Sequence, residues 1–465
     1  MPGRQHLAHA ALVGLCLTLL GAAPGNAPRK PDGNRLAYLD ELDPYAPGLT
    51  FPRLVTPQWV GEAGVEAVVV LAIDDMRDPE KYEAYLRPIL NRLKQIDGRA
   101  GLSIMTCQVP PGSPQLQAWL AEGLNLDVHT LAHPCPLLQK SDFKAARDTV
   151  DGCIDLLNRV PNNRPVAFRM PCCDSLNTPS PRFYAEIFGK VTPGGHFLSI
   201  DSSVFNITTP ADPALPRDLV VDPDGGERFR KYLPFRSFVN TIENYPYPYV
   251  IGGNCWEFPC VVPSDWEAQN LQKPNNPRTV ADLKAALDAV VVKQGVFNLV
   301  FHPHGWIKAE QVVELIDHAV AKHGKKVKFL NFREAQERLD QHLLAGQPLR
   351  SPTGGDHGVR VLDVDHDGYM DVVIGNDALQ QTRIWKPQAA QWVTTGFPLK
   401  LMTRVNGAEC PVPASFGVLD PSGRASVIQG HLDGAGTDPH LLQLKSATQV
   451  YHFRDNAWVA GGTGG

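Results

Sequence analysis

The hydrophobic positions in the first two thirds of the chain alternate between unbroken runs and helically spaced rows. Ala67 to Ile73 is a continuous apolar run, the pattern of a strand buried on both faces. Asp78-Pro79 then opens a segment in which apolar residues from Tyr82 to Leu93 recur at helical spacing. This alternation predicts parallel strands joined by helical crossovers, which is an α/β fold.

The same two patterns recur as far as about residue 345. Further strands are predicted at Gly101 to Met105, Leu126 to Val128, Val166 to Phe168, Phe197 to Ile200, Val296 to Phe301 and Val327 to Leu330. Further helices are predicted at Phe143 to Leu157, Val280 to Val292 and Glu310 to Lys322. About seven strands in about 280 residues favour a barrel over an open, doubly wound sheet.

The pattern changes near Pro348. From Gly358 onwards short β-rich runs are separated by Gly, Asp, Pro and Ser, and helical spacing is absent. The runs include Met370 to Ile374, Ser426 to Gln429 and Gln449 to Phe453. We therefore predict a barrel over residues 28–345 and a smaller all-β domain over residues 346–465.

The N-terminus has the pattern of a secretory signal peptide. Arg4 precedes an apolar run from Ala10 to Ala23, and small residues continue to Ala27. A signal over residues 1–27 predicts an exported protein, whether periplasmic, cell-surface or secreted; a short N-terminal anchor is the alternative. No later segment reaches membrane-spanning length.

Composition narrows the class of partner. The chain has 44 Lys and Arg against 49 Asp and Glu, a net charge of −5, so it lacks the basic field that nucleic acid requires. Nine cysteines include Cys16 inside the signal run. Because export places the others in an oxidising compartment, some are expected to pair, but the spacing does not say which.

Polar side chains follow four of the predicted strands, where the chemistry of α/β barrels lies. In chain order they are Asp74 and Asp75, His129 and His133, Arg169 and Pro171, and His302 and His304. Helix capping by the Asp pair and a structural role for the His pair are the alternatives.

The two histidines suggest a metal. His129 and His133 are four apart, a spacing that places both imidazoles on one side of a helical turn. Asp75 is the best candidate for a carboxylate ligand from another strand end. Asp74 is expected to point to the opposite side of the extended strand and to have a different role.

The joint pattern of Asp-Asp, His-x-x-x-His-Pro, Arg-x-Pro and a late His, over about residues 65–340, resembles the polysaccharide deacetylases of carbohydrate esterase family 4. The resemblance implies a distorted (β/α)7 barrel and a divalent metal, usually zinc, held by Asp75, His129 and His133. It also implies further roles for four residues. Asp74 would be the general base, and the Arg169 guanidinium would bind it. His302 would be the general acid, and Asp265 would adjust the acidity of that histidine.

Several positions depart from the family pattern. Cys172 follows Arg169-Met170-Pro171 where Tyr is common. Pro171 and Cys172 are assigned to substrate binding, in which the resemblance implies a role for the backbone N–H at the position of Cys172. Cys172 and Cys173 are interpreted as buried thiols rather than as a vicinal pair. Asp265-Trp266 matches the end of the family's Asp-x-x-Asp-Trp motif, but Val262 stands where that motif has its first Asp. His304 competes with His302 for the role of general acid.

Aromatic residues and a long insertion are candidates for the substrate groove. Trp256, Trp266 and Trp306 could offer flat faces to sugar rings, although core packing is the default for tryptophan. Trp306 is the best placed, and Trp266 accompanies Asp265. The Asn- and Pro-rich stretch from Pro210 to Asn276 is expected to form a lid or groove wall.

These assignments predict an exported, metal-dependent hydrolase that removes acetyl groups from an N- or O-acetylated polysaccharide or cell-wall glycan. A small amide or imide as substrate of the same barrel is one alternative. A non-catalytic carbohydrate-binding or adhesion protein is another. Binding alone requires neither Asp74 nor His302, which argues against the last reading.

The second domain carries an acidic motif. Asp363, Asp365, Asp367 and Asp371, with Gly368, follow the spacing D-x-D-x-D-G-x-x-D, which suits Ca²⁺. A solvated acidic turn without metal is the alternative. Residues 358–376 resemble an FG-GAP/VCBS-type repeat, and residues 416–430 resemble a degenerate second copy of it. The resemblance implies that this domain docks the protein on a glycan or a protein partner.

Overall fold

The computed structural model describes residues 37–38, 47–173, 179–233, 240–419, 421–430 and 447–461. The predicted signal peptide over residues 1–27, with Cys16, lies outside the described residues. Within the described ranges, no helix is long and apolar enough to cross a membrane.

Strands and helices alternate through the first part of the chain, and strands follow from β14 onwards. The strands are β1 (Ala37–Tyr38), β2 (Ala67–Asp74), β3 (Ser103–Thr106), β4 (Asn125–Val128), β5 (Ala167–Phe168), β6 (Ile200–Asp201), β7 (Phe205–Ile207), β8 (Thr241–Glu243), β9 (Tyr249–Ile251), β10 (Cys255–Glu257), β11 (Cys260–Val261), β12 (Val296–Phe301), β13 (Val327–Phe329), β14 (Val359–Leu362), β15 (Asp371–Gly375), β16 (Gln380–Lys386), β17 (Gln391–Gly396), β18 (Met402–Val405), β19 (Ala408–Pro411), β20 (Ala414–Val418), β21 (Ala425–Gly430), β22 (Ala447–Arg454) and β23 (Ala457–Ala460). The α-helices are α1 (Thr56–Trp59), α2 (Pro79–Asp97), α3 (Pro114–Glu122), α4 (Phe143–Leu157), α5 (Pro181–Phe183), α6 (Arg217–Val220), α7 (Asp265–Gln272), α8 (Pro277–Lys293), α9 (Ala309–His323) and α10 (Phe332–Arg338).

The predicted α/β class is confirmed. A nine-stranded sheet has the order β12-β2-β3-β4-β5-β6-β10-β9, with β13 also paired to β2. All of its pairs are parallel except β10 with β9. The sheet curls. Asn298 Nδ2 of β12, the first strand in this order, donates over 2.8 Å to Phe258 O, which follows β10 near the other end of the order. The carboxyl ends of the strands therefore lie close together at one end of the curled sheet.

Local sequence explains why the central elements form. Every residue of β2 is buried, because β12 pairs with Val68 to Ile73, β13 and β3 pair with the two ends of the strand, and helices cover the sheet. The Asp78 side chain accepts from Lys81 N over 3.1 Å at the start of α2, and Pro79 occupies the first turn. Gly98, at φ 75°, ends that helix in the left-handed conformation.

The stretch from Pro210 to Asn276 differs from the expected lid. Within its described residues it folds into β8 to β11 and α7, and it contributes buried side chains to the main core. Tyr232, Tyr245, Tyr247 and Tyr249 are each at most 2% exposed. The sequence suggested a loop because these strands are only two or three residues long and are separated by Asn, Pro and Gly.

The C-terminal part is all-β, as predicted. It contains a four-stranded antiparallel sheet, β14-β15-β16-β17, and the strands β20 to β23 of a five-stranded sheet. The edge strand of that sheet, β1, comes from the N-terminal part of the chain and pairs with β20. Strands β18 and β19 form a separate pair. The likeness of this region to FG-GAP/VCBS repeats stays a prediction.

The first of these sheets packs against the barrel. The apolar cluster that contains Val68 and Val70 of β2 continues through Trp59 to Val372 and Ile374 of β15. Gln58 contacts both parts of the same junction. Its side-chain Nε2 donates to Met370 O over 2.7 Å, and its backbone carbonyl oxygen accepts from Trp392 Nε1 over 3.1 Å. A common core therefore joins the sheet β14–β17 to the barrel.

Candidate active site

The carboxyl ends of the parallel strands bring the predicted polar residues together. Asp74 is the last residue of β2, and His129, Arg169 and His302 each follow directly after β4, β5 and β12. Because parallel strands all end at the same edge of a sheet, residues far apart in sequence meet there.

Asp74 is held by a buried ion pair. Arg169 Nη1 donates to Asp74 Oδ1 over 2.7 Å, and the side chains are 0% and 3% exposed, respectively. The same guanidinium donates to Ser202 O and Oγ over 3.0 and 2.8 Å and to Asn298 Oδ1 over 3.3 Å. This network fixes one oxygen of Asp74 and keeps the compensating charge in place.

Sequence reasoning missed two residues of this network. Asn298 is the one polar residue in the run Val296 to Phe301, and that isolation was a usable signal. Ser202 lies in a segment with several serines, so the sequence gives no reason to single it out.

The chain turns sharply after Asp74. Asp75 has φ 65°, and its N–H donates to Met105 O over 3.1 Å. The turn brings both carboxylates towards the same imidazole, with His129 Nε2 at 3.8 Å from Asp74 Oδ2 and 3.9 Å from Asp75 Oδ1. The expectation that the two side chains point to opposite sides is therefore wrong, because the extended strand ends between them.

The three predicted metal ligands converge. His133 Nε2 lies 3.1 Å from Asp75 Oδ1, and one ligand atom each from Asp75, His129 and His133 lie within 4.8 Å of one another. Among the described residues, buried Asp75 Oδ1 has no partner with hydrogen-bond geometry. His129 Nδ1 lies 2.8 Å from Arg169 O and can donate to it, which leaves Nε2 as the ligand atom. The residues fit a divalent transition metal.

The helical turn predicted for the two histidines is wrong. Residues 129–133 form a loop in which Thr130 and His133 have φ 64° and 53°. His133 N donates to Thr130 Oγ1 over 3.0 Å, and Leu131 N donates to Thr149 Oγ1 over 3.1 Å. The imidazoles still converge, with ring centroids 5.0 Å apart, because these hydrogen bonds fold the loop back on itself.

The protonation states suit metal binding. Burial opposes ionisation of Asp75, but the adjacent imidazoles of His133 and His304 outweigh it and hold its pKa well below the ordinary value. Burial is also the main cause that lowers the pKa of His129, which favours the neutral imidazole. An ionised carboxylate and a neutral imidazole are the forms that coordinate a cation.

His302 is held by Asp265 at two points. Its Nδ1 lies 2.7 Å from Asp265 Oδ1, and its backbone N–H donates to Asp265 Oδ2 over 2.8 Å. Asp265 is the buried first residue of α7. The two contacts fix the imidazole in one orientation. His304, the predicted competitor, points elsewhere: its Nε2 lies 3.1 Å from Asp75 Oδ2.

Of the three predicted aromatic residues, Trp306 lies against the histidines of the site. The Trp306 ring is partly exposed, with its centroid 4.8 Å from that of His302 and 5.0 Å from that of His304. Trp266 follows Asp265 and is also partly exposed. Trp256 is 1% exposed in the core, where it cannot meet a substrate.

A disulfide links two loops of the site. Cys172, interpreted from sequence as a buried thiol, is bonded to Cys135, whereas Cys173 is buried and takes no part in this disulfide. Cys135 lies two residues after His133, and Cys172 follows the buried Pro171. The pairing was invisible in the sequence, because 37 residues separate the two cysteines.

Replacing Cys135 and Cys172 together by Ser is expected to loosen both loops. The free energy of unfolding should fall by about 2–4 kcal/mol, because the cross-link restricts the unfolded chain. Metal affinity should fall as well, since His133 loses its anchor. Denaturant unfolding and metal titration measure the two effects, and Cys173→Ser is the control. Unchanged metal affinity in the double variant would contradict the positioning role.

The acidic loop between β14 and β15 forms a separate candidate site. Ligand oxygens of Asp363, Asp365 and Asp371 lie within 4.8 Å of one another, and buried Asp365 Oδ1 lacks a hydrogen-bond partner among the described residues. Asp367 instead accepts from Tyr369 N over 2.9 Å. Burial and neighbouring carboxylates raise the pKa of Asp363 to about 6. Three of the four predicted ligands are therefore gathered, and a bound cation would relieve their repulsion.

Comparisons with known proteins give matches to solved structures only. No protein-family model matches the chain, and no curated protein matches it. A structure described as a polysaccharide deacetylase from Mycobacterium smegmatis is 15% identical with a TM-score of 0.39, covering 63% of this chain and 96% of its own. The allantoinase PuuE is 12% identical with a TM-score of 0.42, covering 64% and 97%.

A third similar structure is the peptidoglycan deacetylase PdaC from Bacillus subtilis. It is 18% identical with a TM-score of 0.31 and covers 62% of this chain and 95% of its own.

Proposed function

We propose that the protein is a metal-dependent hydrolase that removes acetyl groups from an N- or O-acetylated polysaccharide. The observation that carries this proposal is the arrangement of Asp74. Its carboxylate is held by Arg169 at 2.7 Å and adjoins the cluster of Asp75, His129 and His133. A fixed base beside a metal-binding triad is the arrangement that hydrolysis of an acyl group requires.

Asp75, His129 and His133 would hold the ion. A divalent metal such as Zn²⁺ supplies a Lewis acid for the acyl carbonyl and lowers the pKa of water. Hydrogen-bond partners of the ligands support this role. Arg169 O orients His129 through its Nδ1, and His304 Nε2 orients Asp75 through its Oδ2.

Asp74 and His302 divide the proton transfers. Asp74 Oδ2, the oxygen not bound to Arg169, accepts the proton of the attacking water. His302, held at Nδ1 by Asp265, donates a proton to the departing amine or hydroxyl group. The products are acetate and the deacetylated sugar.

Substrate contacts are assigned to the rim of the site. The backbone N–H of Cys172, directly after Pro171, would stabilise the oxyanion. The disulfide of Cys172 limits the movement of that loop. Trp306 and Trp266 would contact sugar rings, since both indoles are partly exposed close to His302 or Asp265.

Export is part of the proposal. The signal pattern over residues 1–27 favours it, and the Cys135–Cys172 disulfide is the type of cross-link that persists in an oxidising compartment. The β domain over residues 346–465 would dock the enzyme on a glycan or a protein partner.

Release of acetate tests the proposed activity. Purified protein supplied with Zn²⁺ should release acetate from chitooligosaccharides, peptidoglycan fragments or acetylated xylan. Zinc-loaded protein that releases no acetate from any of these polymers would reject the substrate class. Parallel assays on small amides and imides would reveal whether the barrel acts on those substrates instead.

Calcium binding tests the acidic loop. Calorimetric titration of the protein with Ca²⁺ should give binding that Asp365→Asn weakens by about tenfold or more, because a charged oxygen ligand is lost. Asp377→Asn is the matched control, since Asp377 is an exposed carboxylate outside the loop that pairs with Lys400. Equal Ca²⁺ affinity in both variants would reject the site.

A further inference from the structure

A second Asp-His-His cluster lies on the outer helices of the barrel. Asp288 belongs to α8, and His318 and His323 belong to the neighbouring helix α9. The Nε2 atoms of the two imidazoles lie 2.9 and 2.7 Å from the same oxygen, Asp288 Oδ1. Nothing in the proposed hydrolytic reaction uses these residues.

The cluster lies away from the proposed active site. Asp288 is in the second half of α8, just before β12 begins, and His323 is the last residue of α9. Both helices run back against the strand direction, so their carboxyl ends lie at the amino-terminal edge of the sheet. That edge of an α/β barrel serves stability rather than catalysis.

The geometry points to a second site for a divalent transition metal, formed by Asp288, His318 and His323, and we propose that it binds Zn²⁺ or an ion of the same class. One ligand atom from each residue lies within 4.8 Å of the others. Tetrahedral zinc ligands lie about 3.3 Å apart. The contacts of the two imidazoles with Asp288 Oδ1, now 2.9 and 2.7 Å, would therefore lengthen by about half an ångström.

The surroundings prepare the carboxylate for a cation. Asp288 is 6% exposed, and its second oxygen accepts from Lys322 Nζ over 2.8 Å. A hydrogen bond to the outer oxygen of a ligating carboxylate orients the inner one.

Lys322 allows a metal site to be distinguished from an ion-pair cluster. Its side chain is half exposed, and its positive charge repels a cation held on the other side of Asp288. Lys322→Gln removes the charge and keeps an N–H donor, so Zn²⁺ should bind about tenfold more tightly. If the residues form only an ion-pair cluster, Lys322→Gln leaves zinc affinity unchanged.

Zinc stoichiometry provides the main test. Equilibrium dialysis of the full chain with Zn²⁺, in excess Ca²⁺ to fill oxygen-only sites, should give about two bound ions. His318→Gln with His323→Gln should remove one ion and leave acetate release unchanged. His133→Gln should remove the other ion. His196→Gln should remove neither, because His196 pairs with Asp155 without a second imidazole in that pair.

The outcomes separate the two metal proposals. Unchanged stoichiometry in the double variant would overturn the second site whether or not acetate is released. If that variant does not fold, modification of wild-type histidines by diethyl pyrocarbonate replaces it. Zinc should protect His318 and His323 in mapped peptides, whereas equal labelling with and without zinc would reject the site.

Discussion

Asp74→Asn should lower kcat for acetate release by about a thousandfold, because it removes the group that accepts the proton from water. Asparagine has nearly the same shape as aspartate, so the hydrogen bond between position 74 and Arg169 can persist. The amide has no basic oxygen of comparable pKa. The measurement is kcat at saturating substrate, with bound metal determined on the same sample.

Loss of the ion pair has to be distinguished from loss of the base. Arg169 is fully buried, and Asp74→Asn leaves its charge uncompensated, which could cost several kcal/mol of stability. Ser202→Ala is the matched control, because it removes a hydrogen bond from the Arg169 side chain and keeps Asp74. The control should unfold at a lower temperature but retain most of its kcat. A folded, metal-bound Asp74→Asn variant with wild-type kcat would reject Asp74 as the base.

Removal of the metal should have an effect of similar or greater size. Dialysis against a chelator should lower acetate release by at least about a thousandfold, since a Lewis acid supplies several kcal/mol of transition-state stabilisation. Added Zn²⁺ should restore activity to the same sample. Undiminished activity in protein shown to be free of metal would contradict the proposed mechanism.

Two histidine variants separate metal binding from proton transfer. His133→Gln should lose both the active-site metal and the activity, because it removes a proposed ligand. His302→Gln should lose activity and retain the metal, since His302 contacts Asp265 rather than the ligand cluster. Metal analysis beside kcat gives the comparison. Loss of metal in both variants would show that His302 acts as a ligand instead.

The position of the site at the strand ends could be predicted without the structure. The apolar run Ala67 to Ile73 ends in Asp74 and Asp75, and the run Val296 to Phe301 ends in His302. A strand buried on both faces has to be apolar, so a polar residue directly after it marks the edge of the sheet. The order of these motifs and the change to β-rich patterning near Pro348 were also readable.

Contacts that depend on the path of the chain could not be predicted in this way. The left-handed turn at Asp75, the non-helical loop from His129 to His133 and the pairing of Cys135 with Cys172 each depend on neighbours distant in sequence. The contact between His304 and Asp75 could not be predicted for the same reason, because only the folded chain brings the two residues together.

The sequence by itself determined the class of the fold and the chemical groups available, because burial and backbone hydrogen bonding impose periodic patterns that can be read locally. Tertiary structure alone decided which groups meet. It placed Ser202 and Asn298 on Arg169, joined β15 to the core of the barrel, and brought Asp288 of α8 to the histidines of α9. These contacts join residues with no periodic relation along the chain, so they follow from packing rather than from pattern.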